Sequence, residues 1–157
     1  MHIKEELTNI NEELVKNVNK IIQTNIDRRE GYEKALEQVE DTALKSLFTD
    51  CCKQSNEYIN ELRQIVIQHD GTPVDVTSTA GDLFRAWMDV KKALALNNTK
   101  AVLQSCEKGE DVALNAYVEI TKAGNGTNNE MVMSVLGRQR DGILTMHNRV
   151  KELRDKQ

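Results

Sequence analysis

Apolar side chains recur at steps of three and four residues along nearly the whole chain, which is the spacing that lines one face of an α-helix. The pattern predicts helices over residues 3–39, 42–69, 82–96 and 99–123, and a last one that opens at Thr127–Glu130 and runs through Leu153. No strand pattern, internal repeat or low-complexity segment competes with it. We therefore predict an all-α fold.

Residues that start and stop helices separate these segments. Asp41 is placed to cap the second helix, and Asn97-Asn98-Thr99 breaks the chain and recaps it for the fourth. Gly71 and the only proline, Pro73, end the second helix, and Gly124-Asn125-Gly126 is a turn. Thr127 and Glu130 have the spacing of a capping box. Gly31 lies inside a helix and indicates a close helix contact.

The length of 157 residues predicts a single domain over 1–157. We expect the first two helices to form one antiparallel hairpin and the last two another. The short helix at 80–96 would then link them by crossing the length of a four-helix bundle. Within that crossover helix, Trp87 and Phe84 are predicted to seal one face of the bundle.

Each long helix has a polar interruption in its apolar stripe. At the axial rise of an α-helix, the interruptions lie at similar depths from the hairpin turns, so we predict one central polar layer. Glu110 stands on the core-facing line of its helix, where a buried carboxylate needs a partner or a metal. The predicted layer consists of Asn25, Arg28, Arg29, Ser55, Glu110 and Gln139.

Three interpretations of this layer remain open. In the first, Glu110 pairs with Arg28 or Arg29 and with amides such as Asn25 and Gln139, a buried ion pair that sets helix register. In the second, the layer holds iron, manganese or zinc. In the third, it lines a small-molecule pocket. The candidate metal ligands are Glu30, Glu61, Glu107, Glu110 and His147.

The metal interpretation lacks the usual ligand motif. Di-metal bundles of the ferritin-like type take a Glu-x-x-His from each of two helices. Here Val66 precedes His69 by three residues, and Leu144 precedes His147 by three. We therefore expect no resident cofactor and keep metal as the alternative.

Other chemistry is disfavoured by the composition and by missing motifs. The formal net charge of -4 lacks the positive bias of nucleic-acid binding proteins. The three cysteines show neither a C-x-x-C motif nor an even disulfide framework, so we interpret them as reduced packing residues of a cytoplasmic protein. No phosphate loop, nucleophile elbow or His-Glu-x-x-His is present, and no apolar run reaches membrane-spanning length. An enzymatic role is disfavoured.

The chain resembles a bacterial family of small ferritin-like four-helix-bundle proteins classed as a domain of unknown function. The likeness spans about residues 18–153. It rests on Asp27-x-x-x-Gly31-Tyr32-Glu33-x-Ala35, Leu47-Phe48, Glu61-Leu62, Gly71-Thr72-Pro73, Ala86-Trp87-Met88-Asp89-Val90-Lys91, Cys106-Glu107-x-Gly109-Glu110-Asp111, Tyr117 and His147-x-Arg149-Val150-x-x-Leu153-Arg154. The resemblance implies a ferritin-like fold whose members have no settled activity.

The first helix is longer than that family pattern, by residues 1–17. Ile3, Leu7, Ile10 and Leu14 would expose an apolar face unless a second subunit covered it, so we predict a homodimer through this segment. Its mixed lysines and glutamates give too little positive charge for a membrane anchor. We expect a non-enzymatic protein that acts through protein contacts. The alternative is a metal-binding or redox relative of ferritin.

Overall fold

The computed structural model describes residues 2–122 and 129–157, and the side chains of His2 and Leu7 are outside the description. It contains α1 (His2–Gln38), α2 (Thr42–Gln68), α3 (Asp82–Ala95), α4 (Thr99–Thr121) and α5 (Glu130–Asp155). The described residues contain no strand, so the all-α prediction is confirmed. None of these helices combines the length and the apolar character needed to cross a membrane.

Two of the predicted caps are confirmed, and one is wrong. The Leu44 N–H donates to Asp41 Oδ1 at 2.9 Å at the start of α2, and the Ala101 N–H donates to Asn98 Oδ1 at 3.0 Å at the start of α4. At α5 the cap is Asn129, whose Oδ1 accepts from the N–H groups of Met131 and Val132. Glu130 is thus the first helical residue, whereas a capping box requires its Glu at the third helical position. Thr127 lies outside the described residues.

The first three turns of α1 bury no described side chain. Ile3 is 73% exposed and Ile10 is 54% exposed, and Leu14 is the first buried residue among the described side chains of the helix. The amino-terminal part of α1 therefore extends past its neighbours, as the sequence predicts, and leaves an apolar stripe in solvent.

The four long helices contact one another in a ring, in the order α1, α2, α5, α4 and back to α1. The contacts pair late residues of one helix with early residues of the next. For example, the rings of Tyr32 and Phe48 have centroids 5.3 Å apart, Arg149 donates to Asp50, and Gln139 accepts from Tyr117. Each of the four helices is therefore antiparallel to both of its neighbours in the ring, which makes α2 and α4 parallel to each other. Residues 69–98, which include α3, carry the chain back along the length of the helices.

Helix α3 packs onto α1 and α4 through Trp87. Its indole lies edge-on to Tyr32, with 4.5 Å between ring centroids and an interplanar angle of 69°. A Cβ added at Gly31 would lie 2.2 Å from an indole carbon, so the close helix contact predicted at that glycine is confirmed. Trp87 covers this face as predicted, whereas Phe84 is 38% exposed and only borders it.

Two apolar clusters make up the core. One holds the earlier part of α1, the later parts of α2 and α4, and the first half of α5; the other holds the remaining ends together with Val90 and Ala93 of α3. Three buried polar residues of the long helices fall between the two clusters: Arg28, Ser55 and Glu110. Asn25 and Gln139 are buried among residues of the first cluster, and α1 also buries Asn17 and Asp27.

The two glycines that face Trp87 offer a matched test of this packing. We expect Gly31→Ala to lower the free energy of unfolding by about 1–3 kcal/mol, because the indole must move away from the new methyl group. At Gly109 an added Cβ would be 3.5 Å from the same indole, an ordinary contact. Gly109→Ala should therefore be neutral or stabilise by up to about 1 kcal/mol through helix propensity. Urea unfolding of both variants measures the difference, and equal effects would contradict the packing described.

Candidate functional site

The centre of the protein holds a fully buried ion pair. Arg28 Nε lies 2.9 Å from Glu110 Oε1 and 3.1 Å from Glu110 Oε2, and the two side chains are 1% and 0% exposed. Arg28 Nη1 also donates to Ser55 Oγ at 3.1 Å. One guanidinium thus joins α1, α2 and α4 at a single level.

Tyr32 completes this group. It lies one turn after Arg28 on the same face of α1, and its hydroxyl donates to Glu110 Oε1. The Glu110 carboxylate therefore accepts from both Arg28 and Tyr32, which satisfies a charge that would otherwise be costly to bury. Burial acts to lower the pKa of Arg28, but Glu110, and to a smaller extent Cys51 and Tyr32, raise it by more. The pKa is therefore raised, and the guanidinium stays charged.

A second buried network lies beside the ion pair and is organised by Tyr117. Asn25 Nδ2 donates to the Tyr117 hydroxyl at 2.9 Å, and that hydroxyl donates to Gln139 Oε1 at 2.7 Å. Gln139 Nε2 then donates to Glu61 Oε1 at 2.8 Å. The predicted contact of Asn25 and Gln139 with Glu110 is therefore wrong, because Tyr117 takes both amides. Tyr117 fits the helical spacing of the apolar residues in α4, so the sequence did not reveal the role of its hydroxyl.

Arg29 does not belong to the central layer, which corrects the prediction that included it. Adjacent helical residues point about 100° apart, so Arg28 and Arg29 cannot both face the centre. Arg29 instead reaches outward, where its Nη1 donates to Asn56 Oδ1 at 3.0 Å and its side chain is 27% exposed.

Two polar atoms of the layer have no hydrogen-bond partner within the described part of the chain. They are Asn25 Oδ1 and Arg28 Nη2, both on α1 and one turn apart. The networks around Glu110 and Tyr117 therefore use most, but not all, of the donors and acceptors in the layer.

The structure separates the candidate metal ligands. Glu110 is bound by Arg28, and Glu61 is bound by Gln139 and Arg138. Glu30 lines a cavity between α1 and α3 instead of the central layer. These three carboxylates therefore do not converge on one position.

The remaining two candidates lie near each other at the α4–α5 contact. His147 Nε2 is 2.8 Å from Asp111 Oδ1 and 3.9 Å from Glu107 Oε1, while the other Glu107 oxygen is bound by Arg154. Over residues 2–122 and 129–157, no group of three or more His, Cys, Asp and Glu side chains is placed to hold a metal ion. Because a guanidinium neutralises the central carboxylate, these donors do not fit a di-metal centre.

Two thiols border the ion pair. Cys51 and Cys106 are fully buried, and Cys52 is partly buried. Burial and the nearby Glu110 charge raise the pKa of Cys51 to about 12, and the same causes raise the pKa of Cys106 well above its ordinary value of 9.0. Burial also raises the pKa of Cys52 to about 11. All three are therefore protonated packing groups at neutral pH, and unsuited to nucleophilic attack.

A family model described as "Domain of unknown function (DUF2383)" matches residues 13–123. The match covers more than half of the chain, so the protein belongs to this family, and the predicted membership of a family of unknown function is confirmed. The matched region begins one residue before Leu14, the first buried residue among the described side chains of α1, and it includes Arg28, Ser55 and Glu110. No curated protein sequence matches the chain.

The central ion pair can be tested by a double-mutant cycle. Arg28→Met and Glu110→Leu should each destabilise the protein by about 3–5 kcal/mol, because each leaves one buried charge without its partner. The double variant should lose less than the sum of the two single variants, because it buries no unpaired charge. Urea unfolding gives the three free energies.

The half-exposed pair Arg138–Glu61 supplies the control for this cycle. Arg138→Met should cost no more than about 1 kcal/mol, because solvent screens that pair. Additive losses for Arg28→Met and Glu110→Leu, or losses no larger than that of Arg138→Met, would contradict the assignment.

The raised thiol pKa values predict sensitivity to alkali. Thiols in the unfolded chain ionise near their ordinary pKa of 9.0, whereas Cys51 in the folded protein keeps its proton up to about 12. The unfolded state therefore binds fewer protons in this range, and stability should fall as pH rises from 9 to 12. Cys51→Ala should make that fall shallower, which chemical denaturation at pH 8, 10 and 11 measures. An unchanged slope would contradict the burial of this thiol.

Proposed function

We propose that this protein is a non-enzymatic, ferritin-like helical bundle that acts through protein contacts. The connectivity supports the fold: two antiparallel helix pairs joined by one long crossover is the arrangement of ferritin-like bundles. The reduced cysteines fit a cytoplasmic protein.

The Arg28–Glu110 ion pair carries the non-metal part of this proposal. In a di-metal bundle the central carboxylates are charge-balanced by the metal ions. Here a guanidinium supplies the positive charge, Tyr32 donates a further hydrogen bond to Glu110, and Ser55 accepts one from Arg28. The central layer is thus a degenerate version of a metal layer, in which the polar groups fix the helix register.

The amino-terminal part of α1 supplies the contact surface. Ile3 and Ile10 lie on the exposed stripe ahead of Leu14, outside the region that the family model matches. A contiguous exposed apolar surface is a feature of protein interaction sites. A second copy of the same helix presents a complementary stripe, which favours a symmetric homodimer.

Light scattering of the purified protein tests the dimer. We expect a dimeric mass at micromolar concentration and a monomeric mass for Ile3→Ser/Ile10→Ser, because the substitutions remove the apolar area that drives association. Leu144→Ser is the control, since Leu144 is also an exposed apolar residue at 45% but lies on α5. It should leave the dimer intact. A monomeric parent protein, or a control that dissociates equally, would contradict the proposal.

Elemental analysis of the same protein addresses the alternative. Stoichiometric iron, manganese or zinc that is lost in Glu110→Ala would overturn the non-metal part of the proposal and favour a metal-binding relative of ferritin.

A further inference from the structure

A cavity of about 130 Å³ lies between α1 and α3, away from the central layer. Its apolar wall includes Ala35, Trp87 and Val90. A cavity of about 150 Å³ in an engineered protein accepts benzene, so this one has room for an apolar body of roughly six carbon atoms.

Acidic groups mark one end of the cavity. Asp27 and Glu30 line it on α1, and Asp27 is only 8% exposed. The Asp27 oxygens accept from the Ser78 N–H at 2.7 Å and from Ser78 Oγ at 2.6 Å, which holds the crossover segment against α1. A fixed, largely desolvated carboxylate with a second carboxylate one turn away favours a positively charged group.

Basic groups mark the other end. Helix α3 runs parallel to α1 here, because Trp87 lies near Gly31 and the later residue Leu94 lies near Gln38. Lys34 on α1 and Lys91 on α3 therefore line the cavity at the same end, further along both helices. Seven residues of helix separate Asp27 from Lys34, an axial distance of about 10 Å. Within the part of the chain that the structure describes, Glu30, Lys34 and Lys91 form no ion pair with each other or with other residues.

We propose that this cavity binds a small ω-amino acid, with an ammonium group at one end of an apolar chain and a carboxylate at the other. The ammonium group lies beside Asp27 and Glu30, and the carboxylate lies between Lys34 and Lys91. The methylene chain packs on Trp87, in the usual pattern of an apolar pocket with a few polar groups that set ligand orientation. This site is independent of the proposed dimer surface.

Trp87 is the only tryptophan in the chain, so its fluorescence reports on the cavity directly. The probe is 6-aminohexanoate, whose five methylenes separate its two charges. We expect a saturable fluorescence change, confirmed by isothermal titration calorimetry. Norleucine is an isomer of 6-aminohexanoate in which the ammonium and carboxylate groups are attached to the same carbon. Hexylammonium and hexanoate each carry one charge. All three should bind at least about tenfold more weakly, since each loses one charged contact or more.

Variants of the cavity locate the site. Glu30→Gln and Lys91→Gln should each weaken 6-aminohexanoate binding by about twofold to fivefold, the range expected for partly exposed charge pairs. Lys92→Gln is the control, because Lys92 is exposed on the same helix and does not line the cavity. Lys92→Gln should leave 6-aminohexanoate binding unchanged. No saturable binding by either method, equal binding of norleucine, or an equal loss in Lys92→Gln would overturn the proposal.

Discussion

The buried pair of Arg28 and Glu110 is the interaction on which the helix arrangement depends. Removing either charge from water costs several kcal/mol, and only close contact with the other repays that cost. A shift of α1 against α4 by one turn would move the partners about 5.4 Å apart and leave both charges buried without compensation. The pair therefore penalises incorrect registers, which apolar side chains of similar size would tolerate.

The remaining polar groups extend this constraint to all four long helices. Ser55 brings α2 to the guanidinium, and Tyr117 joins α1 to α5 through Asn25 and Gln139. Helix α3 is positioned differently, by the fit of Trp87 against a backbone without a side chain at Gly31. Hydrogen bonds thus define the centre of the protein, whereas van der Waals packing attaches the crossover helix and forms the cavity beside it.

Much of this site was predictable, because a polar residue on a core-facing line must have a partner. The positions of Asn25, Ser55, Glu110 and Gln139 followed from helical periodicity alone. The partners did not. Arg28 and Arg29 were equivalent candidates until it was known which face of α1 is turned to the core. The predicted contact of Glu110 with the two amides was wrong. Tyrosines caused the error, because the ring fits an apolar stripe while the hydroxyl acts as a donor.

The sequence by itself determined the five helices, two of their caps, the protruding start of α1 and the depth of the polar layer. These features depend on residues close in the chain, through the 3.6-residue period and local hydrogen bonds. Only the tertiary structure decided that Tyr32 and Arg28 share one carboxylate, that Tyr117 joins the amides, and that Trp87 lies on Gly31. Those contacts join residues far apart in sequence, and their geometry depends on how whole helices pack against one another.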